Sequence, residues 1–211
     1  MKLLALSVSE ARDLVLDGKP VRTGICKEPV ERRLAVHRQG IEGDGQADLD
    51  AHGGINKAVY GYPSEHYPHW AHMLKSEFPP GQFGENLTTA GLLEDAVHVG
   101  DLFRVGTAVL QAAQPRMPCF KLGLRMESAK FVKIFMNSGR SGIYFTVEEE
   151  GAFGAGDPIE PLETGRTPFS VRQIWDMCHN GAGTRQEAEA ALQIKTLGRE
   201  WRKPLENRLR G

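Results

Sequence analysis

Cysteine is scarce in this chain, with only Cys26, Cys119 and Cys178 among 211 residues. An odd, sparse count makes no disulfide framework and points to a reducing compartment. Long apolar runs are missing too. Leu3-Leu4-Ala5-Leu6 follows Lys2, but Ser7, Ser9, Glu10, Arg12 and Asp13 arrive too soon for a signal peptide. Nothing approaches the roughly 20 apolar residues of a membrane span. A soluble, cytoplasmic protein without membrane contact is the expectation. An excess of one charge sign is also absent: 26 Lys+Arg stand against 27 Asp+Glu, which argues against nucleic acid as a partner. No Gly-x-Gly-x-x-Gly fingerprint and no ferredoxin-type cysteine spacing occur, so neither a nucleotide-binding domain nor an iron–sulfur cluster is evident. What remains is an ordinary globular composition, 40% hydrophobic and 25% charged, long enough to bury a sizeable core.

The near-zero charge is a cancellation. From Thr164 onward nine Lys+Arg face five acids, a balance of +4, which leaves 17 against 22, or −5, in residues 1–163. Composition changes at the same point. Before it, short apolar runs (Lys2–Val8, Val21–Cys26, Ala58–Tyr62, Val97–Val105, Ala108–Ala113, Gly142–Val147, Pro158–Leu162) alternate with Gly, Pro, Asn and Asp. That spacing predicts a mainly β domain over 1–163, a barrel or sandwich rather than a parallel α/β sheet. Two helical insertions are expected within it, around Ser64–Lys75 and Glu127–Met136. Residues 164–211 read as a three-helix C-terminal domain. Ser170 with Gln173, and Thr184 with Glu187, have capping-box spacing ahead of apolar faces. The third piece carries Trp201, Leu205 and Leu209, and Pro204 must sit in its first turn or break it.

The densest polar stretch runs from Gly43-Asp44 through Asp48 to His52-Gly53-Gly54 and Lys57. Its glycines favour a loop, either one whose backbone N–H groups approach an anion beside Lys57 or a plain turn with Asp caps. A second cluster is Gln114-Pro115-Arg116-Met117-Pro118-Cys119-Phe120-Lys121. Cys119 lies between two cations, a setting that lowers a thiol pKa and suits a nucleophile or a metal ligand. Cys26 and Cys178 have no such neighbours and read as core. Phe83-Gly84-Glu85-Asn86-Leu87 suits a turn into a cleft, and Gly139-Arg140-Ser141-Gly142 an anion-binding turn or a hairpin. His66, His69 and His72 recur every three residues, a zinc site with His52 or, in preference, a solvent-facing helix, because that spacing converges poorly.

Together these elements resemble the MOSC domain family, the molybdenum-cofactor sulfurase C-terminal fold, and within it the YiiM-like branch with its three-helix C-terminal extension. The resemblance covers Gly43-Asp44 to His52-Gly53-Gly54, Lys57-Ala58-Val59-Tyr60, Tyr62-Pro63, Phe83–Leu87, Gly100-Asp101, Arg116-x-Pro118-Cys119 and Gly139–Gly142. It implies a MOSC-type β-barrel that binds the molybdenum cofactor through the Cys119 thiolate, which is also the metal ligand. It further implies an oxidoreductase that reduces N-hydroxylated purines or amines, detoxifying hydroxylaminopurine-type base analogues. Gly53, Gly54, Lys57, Arg116, Lys121, Arg140 and Ser141 are the residues expected around the cofactor and its phosphate. Cys119, His52 and Asn86 are the expected catalytic set, with His52 and Asn86 orienting the pterin or protonating the leaving hydroxyl. The alternatives are a non-catalytic cofactor carrier or sulfur-relay module using the same cysteine, and a zinc hydrolase using His52 and His66. A separate electron-donating reductase is expected to feed the reduction, with the basic tail as its docking surface or as a homodimer contact.

Overall fold

The structure, a computed structural model, describes residues 1–16, 18–45 and 54–210. In chain order its strands are β1 (Lys2–Val8), β2 (Arg12–Leu16), β3 (Lys19–Thr23), β4 (Glu28–Val30), β5 (Leu34–His37), β6 (Gly40–Ile41), β7 (Val59–Pro63), β8 (Leu87–Ala90), β9 (Leu102–Val105), β10 (Ala108–Pro115), β11 (Ile143–Glu149), β12 (Gly151–Phe153) and β13 (Ile159–Glu163). The α-helices are α1 (Tyr67–Leu74), α2 (Phe120–Arg125), α3 (Ala129–Ser138), α4 (Val171–His179), α5 (Arg185–Ala191) and α6 (Arg199–Arg210), with 3-10 turns at Ile55–Lys57 and Ser64–His66.

Eight strands form one sheet in the order β13-β9-β10-β11-β7-β8-β1-β4; β12-β5-β6 and β2-β3 form two smaller ones. Every pairing is antiparallel except β7 with β8, where Gly61 faces Leu87 and α1 supplies part of the crossover. β7 lies at the centre and is buried along its whole length, so it reads as an unbroken apolar run rather than an alternating one.

The expected β-barrel is corrected by this sheet, which does not close. β1 meets β13 only at its first residues, Lys2 opposite Pro158, and further along the same edge it pairs with β4 (Leu6↔Val30). The reason lies in the strand itself. Pro161 within β13 and Pro158 just before it carry no N–H, so the segment that would seal the barrel lacks two donors. A bulge between Pro161 and Glu163 breaks its pairing with β9 as well.

Two buried clusters hold the molecule. One is aromatic and packs α1 and α3 against β7: Trp70 stacks on Phe135 with ring centroids 5.4 Å apart, and its indole N–H donates to the Tyr62 hydroxyl at 2.6 Å. The other runs without interruption from the sheet into the C-terminal helices, joining Leu110 and Ala112 of β10 to Ile174, Trp175, Trp201 and Leu205. Short helices are unstable alone, so this shared core is what holds the tail helical. Both expected capping boxes form, Ser170 with Gln173 and Thr184 with Glu187. Pro204 neither opens α6 nor breaks it. It lies inside the helix and gives up the bond to the Glu200 carbonyl, while burial of Trp201 and Leu205 on either side keeps the helix running. Cys178 packs in this core as expected; burial pushes its thiol up to about 12, and it donates to the Trp201 carbonyl at 3.4 Å. No helix among the described residues is long and apolar enough to cross a membrane.

Candidate functional site

A cleft of about 110 Å³ opens where β7, β10 and β11 approach the loops after β3 and β6. Four of the expected site residues that lie far apart in the chain meet in its wall: Lys57, Asn86, Arg116 and Cys119, with Lys121 beside them. Cys119 is half-buried, stands immediately before α2 and is in no disulfide. Pro118 on one side and the start of α2 on the other fix its backbone, and its carbonyl accepts from the Leu122 N–H at 2.9 Å.

Arg116 is the strongest electrostatic feature. Only 5% of it is exposed, and its guanidinium lies 5.0 Å from the Tyr60 ring centroid and 5.5 Å from that of Phe135. These contacts favour a cation over ring faces. Burial works against the charge, yet the Tyr60 and Tyr144 phenols and the Cys119 thiol outweigh it, and the Arg116 pKa stands above its ordinary value. Burial raises both phenols, so they remain neutral walls. The Arg116 Nη1 is buried without a hydrogen-bond partner among the described residues. A buried guanidinium nitrogen left unmatched in a cleft wall is a site for an acceptor to complete.

Two of the three lysines in the lining are held by carboxylates. Lys27 Nζ lies 2.5 Å from Asp44, and Lys57 Nζ lies 2.6 Å from Glu200 of α6. Asp44 also accepts from the Ser9 N–H at 3.0 Å and from the Asn86 amide at 2.9 Å. Asn86 is therefore a frame member. It is 3% exposed; its carbonyl oxygen accepts from the Tyr60 N–H at 3.0 Å and its amide donates to Asp44 and to the Ser7 carbonyl. With its groups so used, Asn86 braces the wall of the cleft that it also lines.

Arg140 and Ser141 do not join this site. Arg140 lines a separate cleft of about 140 Å³ with His66, Glu94 and Arg172. Ser141 is fully buried, its hydroxyl donating to the Gly142 carbonyl and its own carbonyl accepting from the Tyr60 hydroxyl. The Gly139–Gly142 stretch is the cap of α3 and the entry to β11, because Gly139 adopts the left-handed conformation that ends a helix. Gly54 is exposed and outside the cleft lining, although its carbonyl accepts from the Lys57 N–H at 2.9 Å. His52, Gly53 and Asp48 lie outside the described residues.

The histidine series does not converge. The His66 ring meets Glu94 at 2.8 Å, His69 turns edge-on against Trp70, and His72 is exposed. Among the described residues no group of three or more His, Cys, Asp or Glu side chains is placed to hold a metal ion. The reading from sequence passed over Lys27, Tyr60, Tyr144 and Glu200. Lys27 and Glu200 sit in unremarkable polar surroundings along the chain, and only the fold brings them to Asp44 and Lys57. Tyr60 and Tyr144 do carry a signal, each lying in an apolar run that turns out to be a central strand.

The donor set suits the molybdenum cofactor that the resemblance implies. A thiol can ligate a soft metal, and an unsatisfied buried guanidinium with three lysines around it can receive an anionic group. Comparison with known proteins agrees with this. The MOSC domain family model matches residues 48–160, more than half of the chain. The protein YflK of Bacillus subtilis (strain 168) is 40% identical over 200 residues, covering 95% of this chain and 90% of that protein. A protein named "Reductase" from Gibberella moniliformis is 32% identical over 165 residues, 74% of this chain but only 28% of that longer protein. Among solved structures, YiiM from Geobacillus stearothermophilus superposes with a TM-score of 0.81 at 31% identity, covering 99% of this chain and 98% of that one.

Proposed function

The chain belongs to the MOSC domain family, and from that premise we propose that it is a molybdenum-cofactor-dependent oxidoreductase that reduces N-hydroxylated purines or amines. The observation that carries this reading is the cleft in which Cys119 stands beside the buried, incompletely satisfied Arg116. Cys119 would hold the metal as a thiolate, while Arg116 and Lys121, with Lys57 behind them, would receive the anionic end of the cofactor. When bound, the cofactor supplies a two-electron couple that can take oxygen from an N–O bond. Conversion of an N-hydroxyl group to an amine consumes two electrons and two protons and releases water. The electrons come, in this reading, from a separate reductase, and the name of the longer Gibberella moniliformis relative supports a reductive role. Tyr60, buried, and Tyr144, partly buried, both neutral, would keep water from the back of the site.

The test is metal and pterin analysis of the protein purified from a host that makes the cofactor. Wild type should carry molybdenum near one equivalent and Cys119→Ala should carry almost none. Reduction of 6-N-hydroxylaminopurine by the loaded protein with a chemical electron donor then separates an enzyme from a carrier of the same cofactor. A wild type without molybdenum, or a Cys119→Ala protein with unchanged content, defeats the cofactor reading. A loaded protein that reduces nothing defeats the enzymatic one.

A further inference from the structure

The C-terminal segment reaches the cleft through one side chain. Glu200 lies in the first turn of α6, and its carboxylate meets Lys57 Nζ at 2.6 Å, with the two side chains only 25% and 14% exposed. The approach to it is built. The Gly198 N–H donates to the Gln114 side-chain carbonyl at 2.6 Å, and the Thr196 hydroxyl donates to the Ala113 carbonyl at 2.8 Å. Residues 196–198 are thereby pinned to the end of β10, two residues before Arg116. A Cβ at position 198 would lie 2.5 Å from the Glu200 Oε2 and 3.0 Å from the Gln114 Oε1, so a side chain there would displace the carboxylate. The charge of Glu200 also reaches Tyr144 in the cleft wall.

We propose that Glu200 is a positioning residue of the cleft, an internal anion that holds Lys57 and with which an incoming anionic group must share that lysine. Lys57 is thus oriented without presenting its full charge, and the tail sets how strongly the cleft attracts anions. The neighbouring pair repeats the arrangement, with Asp44 on Lys27. The two paired lysines differ from Arg116, whose neighbours are neutral phenols and whose Nη1 is left open. Anion affinity therefore falls to Arg116 and Lys121 and is moderated at Lys57. This inference rests on the cleft being the anion site of the proposed function.

The experiment is calorimetric titration of the full-length protein with inorganic phosphate at low ionic strength. Releasing Lys57 from its internal carboxylate should tighten phosphate binding by Glu200→Gln roughly three- to tenfold. The gain should fade in 1 M salt, where the Debye length is about 3 Å. Lys57→Gln should weaken binding, and Glu200→Gln added to it should have no further effect. A merely structural Glu200 would not produce that coupling. Gly198→Ala, which crowds the carboxylate off Lys57, is the second variant and should shift affinity in the same direction. Unchanged or weaker binding in Glu200→Gln, a gain that persists without Lys57, or no phosphate binding by wild type and variant alike would each overturn the proposal. Molybdenum content is read separately: a metal-free protein whose Glu200→Gln variant still gains phosphate affinity keeps this inference and loses the cofactor reading.

Discussion

The amide of Asn86 and the carboxylate of Asp44, 42 residues apart in sequence, are hydrogen-bonded at 2.9 Å across the floor of the cleft. The bond joins the loop that follows β6 to the start of β8, and the same amide group fixes the Tyr60 N–H of β7. One side chain thus sets the spacing of three elements that line the site.

Replacing Asn86 by Ala should lower stability by about 2–3 kcal/mol, because the buried Tyr60 N–H is orphaned and Asp44 and the Ser7 carbonyl each lose a donor. Urea unfolding measures this directly. A midpoint equal to that of wild type would show the amide to be dispensable to the frame.

The two arginines carried by the family motifs should behave differently. Arg116→Gln removes the buried cation beside Cys119, and the purified protein should lose most of its bound molybdenum. Arg140→Gln acts in a different cleft and should leave molybdenum content within about a factor of two of wild type. Equal losses in both variants would return Arg140 to the cofactor site.

Alkaline pH should weaken the fold through Cys178. Its folded pKa is raised to about 12 from an ordinary 9.0 by burial, so its contribution is fully present below pH 9 and is lost as pH rises toward 12. The slope is at most about 1.4 kcal/mol per pH unit, and less at this partly exposed position. Chemical denaturation at pH 8 and pH 11 should show wild type losing more stability than Cys178→Ala. Identical losses would remove Cys178 from the account.

Sheet and tail should unfold together. Trp201→Ala deletes a fully buried ring from their shared core and should cost about 3–5 kcal/mol while leaving a single thermal transition. Two separated transitions in wild type would show residues 164–211 to be an independent folding unit.

Much of this was legible in the chain because local signals and tertiary structure agree. Ser170 and Gln173 announce α4 by spacing alone, and the apolar runs around Ala58–Tyr62 and Ala108–Ala113 became β7 and β10 with boundaries shifted by a residue or two. Cys119, Arg116, Lys57 and Lys121 were found because charge and sulfur stand out in short motifs. Barrel closure was misread because strand runs do not disclose their partners: Pro158 and Pro161 matter only when it is known that a neighbour seeks their N–H groups. Helix α2 was missed since six residues carry too little periodicity to show. Arg140 and Ser141 sit in a motif whose glycines serve a helix end, a role identical in sequence to an anion-binding turn. Glu200 belongs to the site only through a contact spanning 143 positions, from Lys57 to α6.

The single parallel pairing, β7 with β8, fixes an order of assembly. β1 can pair with β4 once residues 28–30 exist, but its other edge has no partner until residues 87–90 have been made, and the Met1 carbonyl waits for the Ile159 N–H, from which it accepts at 3.0 Å. Such distant pairings close slowly, so one edge of β1 stays uncovered while the intervening residues are made. Lys57 meets Glu200 only when α6, 143 positions further on, has been made. The cleft is consequently completed only by a helix that follows, in chain order, every residue of its own wall.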